Sequence, residues 1–259
     1  MNTILVIPAY NERATLGGLV SSMLQQQPPC IDAVIVVDDG SSDNCKADVP
    51  SDPRVRLVRH SRNEGKARAL INGMRLALDS GAQRILTMDG DGQHRPEDIP
   101  RLIQAAGQRP RSIIIGARLA DRGSIPNVRY RANRFANFWV AWASGYPVTD
   151  SQSGFRLYPA EVLRAVLPKL ASRYPSHAGS RRKGFVFESE LLIESGRLRV
   201  GTVAVRIPAL YGTARTSHFR PVADITQIVI MVASHLLRRG LHPRGLWQSL
   251  TQRPDEFAE

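Results

Sequence analysis

The chain has 259 residues, enough for one sizeable α/β domain with its own core, or one domain plus a small appendage. A hydrophobic fraction of 42% and a charged fraction of 22% exclude a wholly disordered chain, and the two cysteines, Cys30 and Cys45, have no spacing that supports a zinc site or a disulfide framework. The net charge of +12 attracts phosphates, but the arginines are scattered without interleaved aromatics, so the expected partners are phosphate-bearing substrates and a membrane surface, and not nucleic acid.

Residues 1–8 run into an apolar stretch with no basic leader or cleavage site, which predicts a cytoplasmic location. Short apolar runs at 3–7, 33–37, 55–58, 84–88 and 112–115 predict buried strands, and the helical patterns between them predict a mainly parallel sheet flanked by helices. Between the third and fourth runs, Ala67, Leu70, Ile71, Met74 and Leu78 fall at helical spacing and predict a helix that covers the sheet. A Gly/Pro/Asn loop at 123–127 leads into a helix carrying Phe135, Phe138, Trp139 and Trp142 on one stripe. A core-facing stripe is expected, with a lipid-facing one as the alternative.

Residues 172–184, with Arg181, Arg182 and Lys183, read as a basic loop. The stretch 222–237 is apolar on nearly all sides and ends at Arg238 and Arg239; its uncharged part, 225–237, is shorter than the about 20 residues of a membrane span. Two readings have equal weight: a helix resting on the inner face of a membrane, with Ile228 and Met231 in lipid, or a helix buried against the sheet or a second subunit. The expected organisation is a catalytic domain over 1–220 and a C-terminal helix and tail over 221–259.

Chemistry concentrates at the ends of the predicted strands. In Asp89-Gly90-Asp91, carboxylates at i and i+2 after a strand project to one side and can converge on one hard cation. The glycine leaves room for a ligand to approach the backbone. A divalent ion there would neutralise charge on a departing diphosphate. Pro8-Ala9-Tyr10-Asn11-Glu12 and Asp38-Asp39-Gly40-Ser41 close the first and second strands. Ligands of open α/β sheets bind beyond the carboxyl ends of the strands, where Tyr10 can stack on a base and Asp39 can accept hydrogen bonds from base or ribose. Each motif alone is ordinary turn chemistry; three at equivalent strand ends point to a site.

These motifs, together with Asn63-Glu64-Gly65-Lys66 and the run from Asp89 to Gln93, resemble the family-2 glycosyltransferases of the GT-A fold. Asp150-Ser151-Gln152-Ser153-Gly154-Phe155-Arg156 and Phe187-Glu188-Ser189-Glu190-Leu191-Leu192 resemble the polyprenyl-phosphate (dolichyl-phosphate) mannose synthase-like branch, and the likeness spans roughly residues 3–220 in motif order. The resemblance implies that Pro8, Tyr10, Glu12, Val37 and Asp39 hold the nucleoside of a GDP- or UDP-hexose, that Lys66 and Gly90 belong to the same donor site, and that Asp89, Asp91 and Gln93 hold Mg2+ or Mn2+. It places donor or acceptor phosphates near Arg118, Arg129 and Arg215, whose guanidinium forks suit phosphate. Asp150 is implied to orient or deprotonate the acceptor, with Asp91 and Arg215 beside it in catalysis. Glu188 and Glu190 are close alternatives to Asp150, or else serve helix capping and hydrogen bonding within the core.

The implied reaction is metal-dependent, inverting transfer of mannose or glucose from the nucleotide sugar to polyprenyl phosphate or another lipid acceptor, by a protein peripheral to the membrane. Two rival readings use the same features. A sugar-nucleotide pyrophosphorylase would need an early Gly-rich loop with neighbouring Arg and Lys, which this sequence lacks. A non-enzymatic basic lipid- or nucleic-acid-binding protein has only the net charge in its favour.

Overall fold

The computed structural model describes residues 2–26, 30–118, 127–176, 184–208, 221–239 and 242–257. In chain order its elements are β1 (Thr3–Ala9), α1 (Arg13–Leu24), β2 (Ala33–Asp38), β3 (Val55–Arg59), α2 (Lys66–Asp79), β4 (Arg84–Thr87), α3 (Ile99–Gln108), β5 (Ile113–Ala117), α4 (Asn127–Ser144), β6 (Arg156–Pro159), α5 (Ala160–Arg173), α6 (Gly184–Arg197), β7 (Thr202–Arg206), α7 (Pro221–Arg239), α8 (Pro243–Thr251) and β8 (Asp255–Glu256). The basic residues Arg181, Arg182 and Lys183, and Arg215 with its motif, lie outside the described residues, as does the side chain of Arg129. Two compact units divide the chain: Met1–Gln104 with Gly154–Gly184, and Ala105–Ser153 with Phe185–Glu259.

In the first unit the strand order is β3-β2-β1-β4-β6. β1, β2, β3 and β4 run parallel, and β6 is antiparallel to β4. Every residue of β1 is buried, as its unbroken apolar run requires of a parallel strand covered on both faces. The ladder continues two residues past the predicted end of β1, pairing Pro8 with Val37 and Ala9 with Asp38, and so delivers both strand-end motifs to the same edge. β3 is the outer strand, and its alternation of Val, Arg and Leu is half-buried or exposed; charge along an edge discourages pairing with another chain. The buried face of α2 includes Ala67, Leu70, Ile71 and Met74 as the spacing predicts, but Ala77 takes the last buried place and Leu78 is half-exposed.

In the second unit β7 pairs in parallel with both β5 and β8. The aromatic stripe of α4 does not supply its core. The buried face is built from Ala132, Ala136, Asn137, Val140, Ala141, Ala143 and Ser144, small residues that recur at helical spacing and let α7 and α8 pack closely. Phe135, Phe138, Trp139 and Trp142 lie on the adjoining face and stack on one another, with Trp139 and Trp142 centroids 5.3 Å apart and Phe135 45% exposed.

α7 is two-faced rather than apolar all round. Ile228, Val232, His235 and Leu236 are buried, whereas Ile230 is 64% and Leu237 76% exposed. Ile228 is therefore a core residue and not a lipid contact. Among the described residues no helix is long and apolar enough to cross a membrane.

Candidate active site

The strand-end motifs of the first unit are tied to one another by their own polar groups. After β1, Asn11 takes a left-handed conformation (φ 56°), which asparagine tolerates. Its N–H donates to Ser41 Oγ at 3.0 Å, and its side-chain oxygen accepts from the N–H of Ser42 at 2.9 Å. Ser41 N–H in turn donates to Asp38 Oδ1 at 2.8 Å, and Arg59 holds the same turn through Asp38 and the Ser41 carbonyl. The two loops are thus braced, and Tyr10 beside them is 37% exposed, so it is accessible to a ligand. Pro8 and Val37 are buried partners in the ladder, and the Val37 side chain lies against Gly73 of α2, so neither side chain is open to a ligand. Glu12 is half-buried at the start of α1.

Asp39 is almost completely buried, and its carboxylate accepts three hydrogen bonds: His60 Nδ1 at 2.7 Å and Glu64 N–H at 2.9 Å on Oδ1, and Gly65 N–H at 2.7 Å on Oδ2. A carboxylate offers about four acceptor positions. Three are used by described residues, so a single position remains for a base or ribose. His60 was not among the residues selected from the sequence; a histidine at the end of an edge strand carries no pattern of its own.

The same clamp fixes the start of α2, where Lys66 Nζ stands 2.7 Å from Asp89 Oδ1. Asp89 follows β4, with Gly90 buried beside the Pro8 carbonyl, and Thr15 of α1 donates to the Gly90 carbonyl at 2.6 Å. Asp91 accepts the backbone N–H of Gln93 on Oδ1 at 3.0 Å, a turn that fixes the Asp91 carboxylate; both residues are half-buried. Gly154 closes the other side: a Cβ there would come within 2.6 Å of both Asp89 carboxylate oxygens, and Thr87 Oγ1 donates to the Gly154 carbonyl at 2.8 Å. Among the described residues no three His, Cys, Asp or Glu side chains gather as a metal cluster. The set Asp89, Asp91 and Gln93 nevertheless fits Mg2+ or Mn2+ in kind, since every donor is a hard oxygen, and Lys66 already marks Asp89 as a carboxylate that is met by positive charge.

In the second unit the structure brings Arg118 and Asp150 together. The Arg118 backbone N–H and Nε donate to Asp150 Oδ2, each at 3.2 Å, and Gln152 N–H donates to Oδ1 at 3.2 Å. The carboxylate is wholly buried, and the Arg118 side chain is 14% exposed. Gln152 donates to Ser189 Oγ at 3.0 Å, which joins the two branch-like motifs around Asp150 and Glu188. Glu190 meets His235 Nε2 of α7 at 3.1 Å, while both Glu194 carboxylate oxygens accept from the single Nη1 of Arg197 at 2.9 Å. Glu190 is therefore bonded within the core. Arg129 lies in the first turn of α4.

A model of glycosyl transferase family 2 matches residues 4–185. The chain is 28% identical to the UDP-N-acetylglucosamine–dolichyl-phosphate N-acetylglucosaminyltransferase of Methanococcus voltae, covering 82% of this chain and 88% of that one. It is 29% identical to the undecaprenyl-phosphate mannosyltransferase of Micrococcus luteus, covering 82% and 84%. The fold is also that of glucosyl-3-phosphoglycerate synthase from Mycobacterium tuberculosis, solved with Mn2+, UDP and glucosyl-3-phosphoglycerate, at a TM-score of 0.58 and 20% identity over 92% of this chain and 79% of that one. The α/β architecture, with its mostly parallel strands and flanking helices, is the GT-A fold.

Proposed function

We propose that this chain, which belongs to glycosyl transferase family 2 and is a glycosyltransferase, transfers a hexose from a nucleotide sugar to a polyprenyl phosphate with inversion. The observation that carries the reading is the meeting of three motifs at the carboxyl edge of adjacent parallel strands: Tyr10 after β1, Asp39 after β2, and Asp89 after β4 against Lys66. That edge is where open α/β sheets bind nucleotides. The two relatives named above differ in the sugar their names print and agree in a polyprenyl-type phosphate acceptor, which supports the acceptor class more than mannose or glucose.

In this reading Tyr10 stacks on the base, Asp39 accepts from base or ribose, and the Pro8 and Val37 backbone and Glu12 complete the nucleoside site. Asp89, Asp91 and Gln93 hold Mg2+ or Mn2+, with Gly90 and Lys66 beside them. Bound there, the ion supplies positive charge to the diphosphate leaving group. Arg118, Arg129 and Arg215 bind phosphates. Asp150 orients the acceptor, and its salt bridge with Arg118 suits it to fixing that guanidinium; an anionic phosphate acceptor needs no strong base. The exposed apolar residues Ile230 and Leu237 of α7, next to exposed Arg238, and the strongly basic chain support contact with an anionic membrane surface.

The test is a panel of GDP- and UDP-hexoses with polyprenyl phosphate in vesicles, with and without Mn2+ or Mg2+. Expected are a glycosylated lipid and a released nucleoside diphosphate, both lost in Asp91→Ala. Release of pyrophosphate, or metal-dependent turnover at the parent rate in Asp91→Ala, overturns the reading.

A further inference from the structure

His60 has no part in the chemistry described above, yet it is buried and both of its ring nitrogens have partners. Its Nδ1 lies 2.7 Å from Asp39 Oδ1, and an ionised carboxylate only accepts, so Nδ1 carries the proton. That fixes Nε2 as the second, titrating nitrogen, and Nε2 faces the Asn72 side-chain amide of α2 at 2.9 Å. An amide can present its NH2 to the neutral ring or, turned over, its oxygen to the protonated one. The pocket therefore accommodates both charge states. The charged groups around it are Asp39, Glu64 and Arg68.

What hangs on the pair is the loop that starts α2. Asp39 holds the Glu64 and Gly65 N–H groups, and Lys66, the next residue, reaches Asp89. The loop also lies directly on the Asp39-Gly40 turn: Gly40 has φ 71°, and a Cβ there would sit 2.5 Å from the Arg62 carbonyl carbon. His60, Asp39, the loop backbone, Lys66 and Asp89 thus form one continuous chain of contacts within the unit, from the nucleoside end of the site to its diphosphate end.

We propose that His60 is a positioning residue for the nucleotide donor, which through Asp39 holds the 63–66 loop and Lys66 in place and holds them more firmly when its ring is charged. The inference rests on the donor-site reading given above. A charged ring turns the hydrogen bond to the ionised Asp39 carboxylate into an ion pair with both partners charged, and it offsets the Asp39 charge in a site for an anionic nucleotide. The hydrogen bond to Asp39 raises the pKa of His60 above the ordinary 6.5 while burial opposes it, so the ring keeps its charge to higher pH than a free imidazole does.

The experiment measures binding of UDP and of GDP, each with MnCl2, to the full chain by calorimetry from about pH 6 to about pH 9, where an imidazole titrates. Hydrogen–deuterium exchange of the peptide containing Glu64 and Gly65 is followed alongside. In the parent, affinity for the nucleotide that binds falls roughly three- to tenfold as His60 deprotonates, the net scale of one ordinary hydrogen bond, since the Nδ1 bond to Asp39 weakens but is not lost. His60→Asn keeps an N–H near the Nδ1 position but does not titrate; it retains the exchange protection and loses the pH step. His60→Ala loses both.

A pH step that persists in His60→Asn overturns the proposal, as does unchanged exchange at Glu64 and Gly65 in a folded His60→Ala. Should His60→Ala fail to fold, the asparagine variant decides alone. If neither nucleotide binds the parent at any pH, the donor-site reading falls, and unprotected Glu64 and Gly65 in His60→Ala still distinguish a working clamp from none.

Discussion

Lys66 Nζ and Asp89 Oδ1 are 2.7 Å apart, with both side chains about three-quarters covered. If Asp89 holds a divalent ion as proposed, an ammonium in that place competes with it for the same carboxylate and becomes available to a diphosphate when the ion binds. Lys66→Ala therefore has opposite effects on two ligands. Mn2+ alone should bind roughly tenfold more tightly, the size of a modest charge interaction in a partly solvated site, while nucleotide affinity falls by a similar factor. Manganese electron paramagnetic resonance and nucleotide calorimetry measure the two separately, and a loss of both would mean that Lys66 serves only to keep Asp89 folded.

Gly154 predicts a second, sharper effect. A methyl group at this position would overlap the Asp89 carboxylate at 2.6 Å, and the backbone there is held by Thr87. The side chain of Asp89 has to move, because the glycine backbone cannot. Gly154→Ala should cost little stability, about 1 kcal/mol or less since the displaced group is the end of a side chain, but lower turnover at least tenfold with a raised Mn2+ requirement. A variant with normal metal dependence and kinetics would show that the Asp89 position in this structure is not the working one.

Much of this site was legible in the sequence, and the limits are physical. Parallel strands covered on both faces announce themselves as apolar runs, so β1, β2 and β4 were found with their carboxyl ends, and Tyr10, Asp39 and Asp89 came with them. β6 gave no such signal, because Arg156-Leu157-Tyr158-Pro159 buries an arginine and lies antiparallel beside β4. His60 and Gly154 act through contacts distant in sequence, with Asp39 and Asp89 respectively, and no local spacing encodes those. The aromatic stripe of α4 shows the reverse failure: the periodicity was real, but the small residues one face over made the tighter helix contacts.

His60 also links stability to pH. The bond to Asp39 raises its pKa in the folded state above 6.5, the value of an unperturbed imidazole, so between those two values the folded chain binds more protons than the unfolded one. Stability then decreases with rising pH. The contribution is complete below about pH 6.5 and disappears as the pH rises through the folded-state value. Urea unfolding midpoints across that window should fall in the parent and stay flat for this step in His60→Asn. A midpoint that rises over the same window in the parent alone would reverse the sign and refute the assignment of the ion pair.

The two faces of α7 make the membrane reading testable in a way that a uniformly apolar helix would not allow. Ile228 is 1% exposed and belongs to the core, so Ile228→Ser should destabilise the fold by about 2–4 kcal/mol, as loss of a buried aliphatic group does, whatever the protein binds. Ile230 and Leu237 project into solvent seven residues apart, two turns along one stripe, and Arg238 follows. Ile230→Ser with Leu237→Ser leaves the core intact and removes the apolar contribution to lipid binding. Sedimentation with vesicles rich in anionic lipid should show parent binding that falls with salt, and binding by the double variant reduced about tenfold or more, because each side chain can bury at least ~1 kcal/mol of apolar surface in the interface. Unfolding temperatures of parent and double variant should agree within a few degrees. If the double variant sediments like the parent, α7 does not touch lipid. If the parent ignores the vesicles but the substitutions change its oligomeric state, the exposed stripe is a contact between copies of the chain.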